Sequence, residues 1–214
     1  MRQRSIKNLE EKLELNSAFL IDNPRECKGR WAEIFGNENP VYLEIGCGKG
    51  KFIMSRAKAC PDKNFIAVEG QSAVALRVLE KAAAVQQRNL RIFIDFVNDL
   101  TDYFEKGELA GIYLNFSDPW PKARHAKRRL TYHKRLQNYK SVIAEGGNVE
   151  FKTDNDGLFE FTLEEIEAGE FEIIEMTRDL HSPENEGLYE TAGYTTEYED
   201  KFSAAGKNIN YVKI

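Results

Sequence analysis

Two groups of residues have types and spacings suited to chemistry. The first is Gly46, Gly48 and Gly50, which directly follow the apolar run VYLEI at 41 to 45. Glycine lacks the Cβ that would hold a ligand away from the backbone amides. In an open α/β sheet such a turn, after the first strand, sits at the carboxyl ends of the strands, where ligands settle. Lys51 stands where a dinucleotide fingerprint needs its third glycine, and no Ser or Thr follows Gly-Lys as a P-loop requires. Glu69 closes the run NFIAVE, about twenty residues after the turn, where a carboxylate can accept both hydroxyls of a ribose. Glu44 lies inside an apolar run, and a carboxylate there is costly unless paired or hydrogen-bonded. A tight turn without a ligand, and a buried salt bridge for Glu44, are the plain alternatives.

The second group is NFSDPWPKARHAKRRLTYHKR, residues 115 to 135. Two prolines fix the backbone around Asp118 and Trp120, setting a carboxylate beside a large aromatic. That pairing suits a purine: Trp120 offers a stacking face and Asp118 accepts hydrogen bonds from a base N–H edge. Beyond it, Lys122, Arg124, Lys127, Arg128, Arg129, Lys134 and Arg135, with His125 and His133 among them and no acid, suit the phosphates of a nucleic acid. The chain's formal charge is -5, and residues 145 to 200 hold eighteen acids against only Lys152 and Arg178. The basic run is therefore a local face on an acidic body rather than a consequence of composition.

These residues need a frame to hold them. With 214 residues, 42% of them hydrophobic, the chain can bury a sizeable core. β-prone runs at 41–45, 64–69, 90–94, 111–116 and 148–153 alternate with helical segments at 51–59, 72–87, 131–144 and 156–168, which predicts an α/β fold with a mostly parallel sheet covered on both faces. Residues 171–177 and 208–214 are expected to pair as antiparallel C-terminal strands, and the long connection 178–207 to reach over the site. Residues 1–40 read as an N-terminal arm packed on the domain at 41–214. No apolar stretch approaches a membrane span and no secretory leader opens the chain, so a soluble, cytoplasmic protein is expected. Cys27, Cys47 and Cys60 match neither a disulfide framework nor a zinc spacing, so free thiols and no required metal are expected.

Two resemblances sharpen this reading. The E-x-G-x-G-x-G turn resembles the cofactor loop of class I, Rossmann-like methyltransferases that use S-adenosylmethionine. The second group resembles the signature of the bacterial tRNA (guanine-N7)-methyltransferase family, N-F-P-D-P-W-P-K-x-R-H-x-K-R-R-L, with Asp118 through Lys122, Arg124, His125 and Lys127 through Arg129 matching. EIGCGKGKF at 44–52, FKTDNDGLF at 151–159 and TEYEDKF at 196–202 extend the match. The resemblance implies methyl transfer to N7 of a guanine at position 46, in the variable loop of tRNA. It implies Asp118 as the catalytic group, also on the cofactor side, with Glu44, Gly46, Gly48, Gly50, Glu69 and, at the adenine, Asn98 in preference to Asp99 binding S-adenosylmethionine. It further implies tRNA contacts from Trp120, Lys122, Arg124, His125, Lys127, Arg128, Arg129, Asp154, Thr196, Glu197, Tyr198 and Glu199. Ser117 and Gly70 depart from the pattern, as does the stretch before Thr196. An amino-group methyltransferase and a non-catalytic RNA-binding module on the same fold are the alternatives, and a homodimer is left open.

Overall fold

Four apolar runs become strands because each is short, bounded by turn residues and buried on both faces, as parallel strands between helix layers must be, and a fifth, longer strand is buried chiefly over its second half. They are β1 (Val41–Ile45), β2 (Asn64–Val68), β3 (Leu90–Phe93), β4 (Leu109–Asn115) and β5 (Ile143–Thr153), in a computed structural model that describes residues 6–214. Residues 1–5 of the expected arm lie outside the described residues. Two more strands, β6 (Glu175–Thr177) and β7 (Asn210–Lys213), complete a seven-stranded sheet of order β3-β2-β1-β4-β5-β7-β6. The first five are parallel, and β7 runs antiparallel between β5 and β6, as the alternation and the C-terminal pair predicted. Strand order reverses at the β1/β4 junction, so a crevice opens at the carboxyl ends of these strands.

Alternate residues of each strand feed two cores. Helices α3 (Lys51–Ala59) and α4 (Ser72–Val85) pack Phe52, Ile53, Val78 and Leu79 against Phe65, Ala67 and Ile92 on one face. Helices α5 (His133–Val142) and α6 (Asp156–Ala168) cover the other with Leu136, Tyr139, Leu158 and Ile166.

The N-terminal segment is more deeply integrated than an arm laid on the surface. It holds α1 (Leu9–Glu14) and α2 (Trp31–Phe35). Trp31 is fully buried in the main core, its indole N–H donating to the Tyr103 carbonyl at 3.0 Å. Phe19 and Ile21 exchange backbone hydrogen bonds with Ile92, capping the free edge of β3.

The connection 178–207 is structured as well. Two short 3-10 turns lead to α7 (Glu197–Ser203), whose start is a capping box: Glu199 N–H donates to Thr196 Oγ1 at 2.9 Å and Thr196 N–H to the Glu199 carboxylate at 3.2 Å. Beneath it Lys152, from the end of β5, donates to the same fully buried Glu199 at 2.8 Å, and His181 lies 2.8 Å from its other oxygen. Arg56 of α3 reaches into the connection too, pairing with Glu190 at 2.5 Å and donating to Tyr113 Oη at 2.9 Å.

A candidate cofactor and nucleobase cleft

At the carboxyl end of β1 the chain turns sharply through three glycines with positive φ: Gly46 at 78°, Gly48 at 57° and Gly50 at 78°. A Cβ at Gly46 or Gly48 would meet nothing within 4 Å, so that side of the turn is open to a ligand. Gly50 has a different reason: its absent Cβ would lie 2.7 Å from Val78, so only glycine lets α3 start this close to α4. Gly50→Ala is accordingly expected to lower stability by about 1–3 kcal/mol, from backbone strain and the contact with Val78, as read by urea denaturation.

Glu69, after β2, fastens this turn to its own loop. Its carboxylate accepts from Gly48 N–H and from Gln71 N–H, both at 3.0 Å, and still lines the cleft. Below the turn Glu44 is 1% exposed. One oxygen accepts from Asn115 Nδ2 at 2.8 Å, and the other, Oε2, has no partner among the described residues. The buried salt bridge open from sequence is therefore absent: Glu44 is held by an amide, and burial pushes its carboxyl up to about 7. A buried carboxylate oxygen without a partner is costly and marks a place for a polar or cationic ligand.

The opposite wall follows β3 and β4. Asp118 is exposed on the cleft, with Phe116 and Ser117 leading to it from β4. Trp120 takes a positive φ of 41° and lines the same cleft. Arg128 lies over its ring at 4.9 Å and His125 stands edge-on at 5.7 Å. A base that stacks on Trp120 must use the face Arg128 leaves free, or displace it. Arg129 is bound inward: it donates to the carbonyls of Pro119 and Trp120 at 2.9 and 3.1 Å and lies on Phe161, so it shapes the loop. Lys122, Arg124 and Lys127 remain exposed.

After β3, Asn98 lines the cleft and accepts from Arg135 at 3.2 Å, whereas Asp99 caps a 3-10 turn through Thr101. Sequence reasoning passed over Phe96, which lines the cleft with 73% of its surface exposed. Its ring sits where a Cβ on Gly70 would lie, 2.3 Å from the nearest ring atom, so the departure at Gly70 makes room for it. An aromatic just past a β3 tip was the available signal.

The C-terminal candidates divide. Tyr198 and Glu197 are exposed, while Asp154 is half-buried and accepts from Tyr198 Oη at 3.4 Å. Glu199 was expected to face tRNA, but it has no exposed surface and its carboxylate is consumed by Lys152, His181 and the cap, so it holds α7 in place. Thr196 is its capping partner. Burial would raise the Glu199 carboxyl, but hydrogen bonding from His181 and attraction to Lys152 bring it below its usual range. Glu197 accepts from Lys81 at 2.8 Å and from Lys51 N–H at 3.4 Å, and Lys51 also reaches Thr195 and Asp200, so α7 is tied to the glycine turn. Among the described residues no group of His, Cys, Asp and Glu is arranged to hold a metal, and the three cysteines are free thiols.

A family described as putative methyltransferase matches residues 38–212. The chain is 43% identical over 213 residues to a tRNA (guanine-N(7)-)-methyltransferase of Streptococcus sanguinis, covering 100% of this chain and 98% of the relative. A protein of the same description from Streptococcus pneumoniae is also 43% identical over 213 residues, with 99% of its length covered. Among solved structures, a 16S rRNA methyltransferase superposes with a TM-score of 0.61 at 12% identity, over 86% of this chain and 91% of that one. A SAM dependent methyltransferase from Aquifex aeolicus gives a TM-score of 0.54 at 12% identity, over 97% and 98%. At these identities the structures support the fold.

Proposed function

Because the chain belongs to the tRNA (guanine-N7)-methyltransferase family, an enzyme family that methylates guanine N7 in tRNA, we propose that its donor is S-adenosylmethionine, held in the cleft between the glycine turn and Asp118, and its acceptor the guanine at position 46 in the variable loop. The observation that carries this is one cleft lined by the start of the open glycine turn, Glu69, Asp118 and Trp120, with the partnerless Glu44 Oε2 buried two residues before Gly46.

The residues fit that donor. Glu44 can take its ammonium group, Glu69 its ribose hydroxyls, and Phe96 with Asn98 its adenine. When bound, the sulfonium supplies an electrophilic methyl. Guanine N7 has an in-plane lone pair and no proton to lose, so the protein needs no obligatory base. Its task is positioning, which can contribute about 7–11 kcal/mol in favourable cases. Trp120 offers the base a stacking face, and Asp118 accepts from its N–H edge. Methylation leaves the purine positive, so an ionised Asp118 also stabilises the charge as it develops.

Lys122, Arg124 and Lys127 serve the RNA backbone. Changing all three to Ala should weaken tRNA binding and reduce the steepness of its dependence on log salt by about 2–3, given roughly 0.7–0.9 per phosphate neutralised. Filter binding across salt concentrations reads this, and an unchanged slope would move the footprint elsewhere.

The deciding experiment incubates the chain with methyl-labelled S-adenosylmethionine and unmodified tRNA, then identifies the nucleoside. N7-methylguanosine, cleavable after borohydride by aniline, supports the reading. A methylated exocyclic amine supports the amino-group alternative, and donor binding without transfer supports an RNA-binding module.

A further inference from the structure

From Phe116 in the cleft wall, a row of three aromatic rings leads to α7. Phe116 follows β4 with φ at 52°, a conformation that is costly for a bulky residue. It packs on the buried Leu180, Ile209 and Tyr211, which give it a fixed floor. Its ring centroid lies 5.2 Å from that of Tyr198, and Tyr198 lies 4.2 Å from Phe202 with the ring planes 27° apart. Tyr198 is 45% exposed, and Lys201 Nζ stands 5.4 Å from the centre of the Phe202 ring. The strip therefore begins two residues before Asp118 and reaches α7, with Tyr198 exposed between the half-buried rings of Phe116 and Phe202.

Packing alone gives this strip little purpose. Helix α7 is already secured by the buried Lys152–Glu199 pair, the capping box, and the contacts of Glu197 and Asp200 with Lys51 and Lys81. Charge then selects the ligand. A neighbouring depression is lined by Asp154, Asp156 and Glu160, with only Arg178 and Lys207 as bases, so RNA phosphates are disfavoured here. Nucleobases are not: every base has a stacking face, and amino edges donate to carboxylates. An RNA whose backbone follows the exposed bases at 122 to 127 can splay its bases toward this side.

We propose that Phe116, Tyr198 and Phe202 form a stacking strip for the nucleotide flanking the target guanine, holding it out of its own stack so that the guanine can enter the cleft. The proposal rests on tRNA being the substrate. It assigns Phe116 and Phe202 positioning roles, and gives Tyr198 a specific one.

The test places 5-iodouridine singly on the 5′ or 3′ side of the target guanine in a tRNA transcript. The complex with the full chain and S-adenosylhomocysteine is irradiated and the crosslinked peptide is mapped by mass spectrometry. Crosslinks to Phe116, Tyr198 or Phe202 are expected; their absence, or crosslinks confined to other segments, would overturn the strip. In parallel, Phe202→Leu, which keeps apolar volume but loses the aromatic face, should raise KM for tRNA roughly tenfold with S-adenosylhomocysteine affinity unchanged, and Phe202→Trp should restore it. A wild-type KM in Phe202→Leu, or no rescue by Trp, would also overturn it. Should Phe202→Leu fail to fold, the crosslink in the wild-type chain decides. A wild-type chain that methylates no tRNA would instead sink the parent reading, a result distinct from any of these.

Discussion

Asp118→Asn is expected to lower kcat by about 10²- to 10³-fold, the range seen when one preorganised electrostatic contact to a developing charge is removed. Asn keeps the side chain's shape and one accepting oxygen, so the base can still be oriented, but it cannot offset the positive purine. The affinity for S-adenosylhomocysteine should stay near that of the wild type, because Glu44, Glu69 and the glycine turn are untouched. Single-turnover rates with saturating tRNA, alongside calorimetric binding of S-adenosylhomocysteine, separate the two effects. A near-normal rate would remove Asp118 from the chemistry. A parallel loss of cofactor affinity would place its main contribution on the donor side of the cleft.

The frame around Asp118 was legible in the sequence because parallel strands buried on both faces are continuous apolar runs, and β2, with all five residues buried, is the clearest case. The turn at glycines 46, 48 and 50 was equally readable, and all three take the positive φ that suits glycine. Partnerships between distant residues were not. Nothing local to Lys152 says that its ammonium lies buried against Glu199, forty-seven residues on. The T-x-x-E spacing of Thr196 and Glu199 is a capping-box signal that the reading of 178–207 as a connection left unused, and a carboxylate held by a cap and a buried lysine is unavailable to RNA. Phe96 was missed for a related reason: its placement depends on Gly70, which packs against it across a loop. Arg129 sits in a basic run that composition reads as one surface, yet the carbonyls of Pro119 and Trp120 turn it inward.

Glu44→Gln should have the second large effect, and with opposite signs on stability and on binding. The wild-type carboxyl is raised from 4.5 to about 7 by burial, although Asn115 and Lys152 pull the other way. Below pH 4.5 it is protonated in both folded and unfolded chains and costs nothing. Between pH 4.5 and 7 the folded chain binds more protons than the unfolded one, so stability falls as pH rises, by roughly 3 kcal/mol in all once the folded group is ionised. Gln keeps the hydrogen bond from Asn115 and has no charge to desolvate, so in the absence of cofactor this fall should be missing from the variant between pH 5 and 8. Binding should move the other way. A cationic amino group set against Oε2 repays the buried charge, and losing a hydrogen bond to a charged group weakens affinity by about 1.5–3 kcal/mol, or about 10- to 100-fold. In the wild type the same pairing draws the carboxyl down, so binding at pH 6 should release a proton, seen as a dependence of the calorimetric enthalpy on buffer ionisation heat that vanishes in Glu44→Gln. Identical pH profiles of stability in the two proteins would show that Glu44 stays protonated or solvated throughout. It would then have no buried charge to offer the donor.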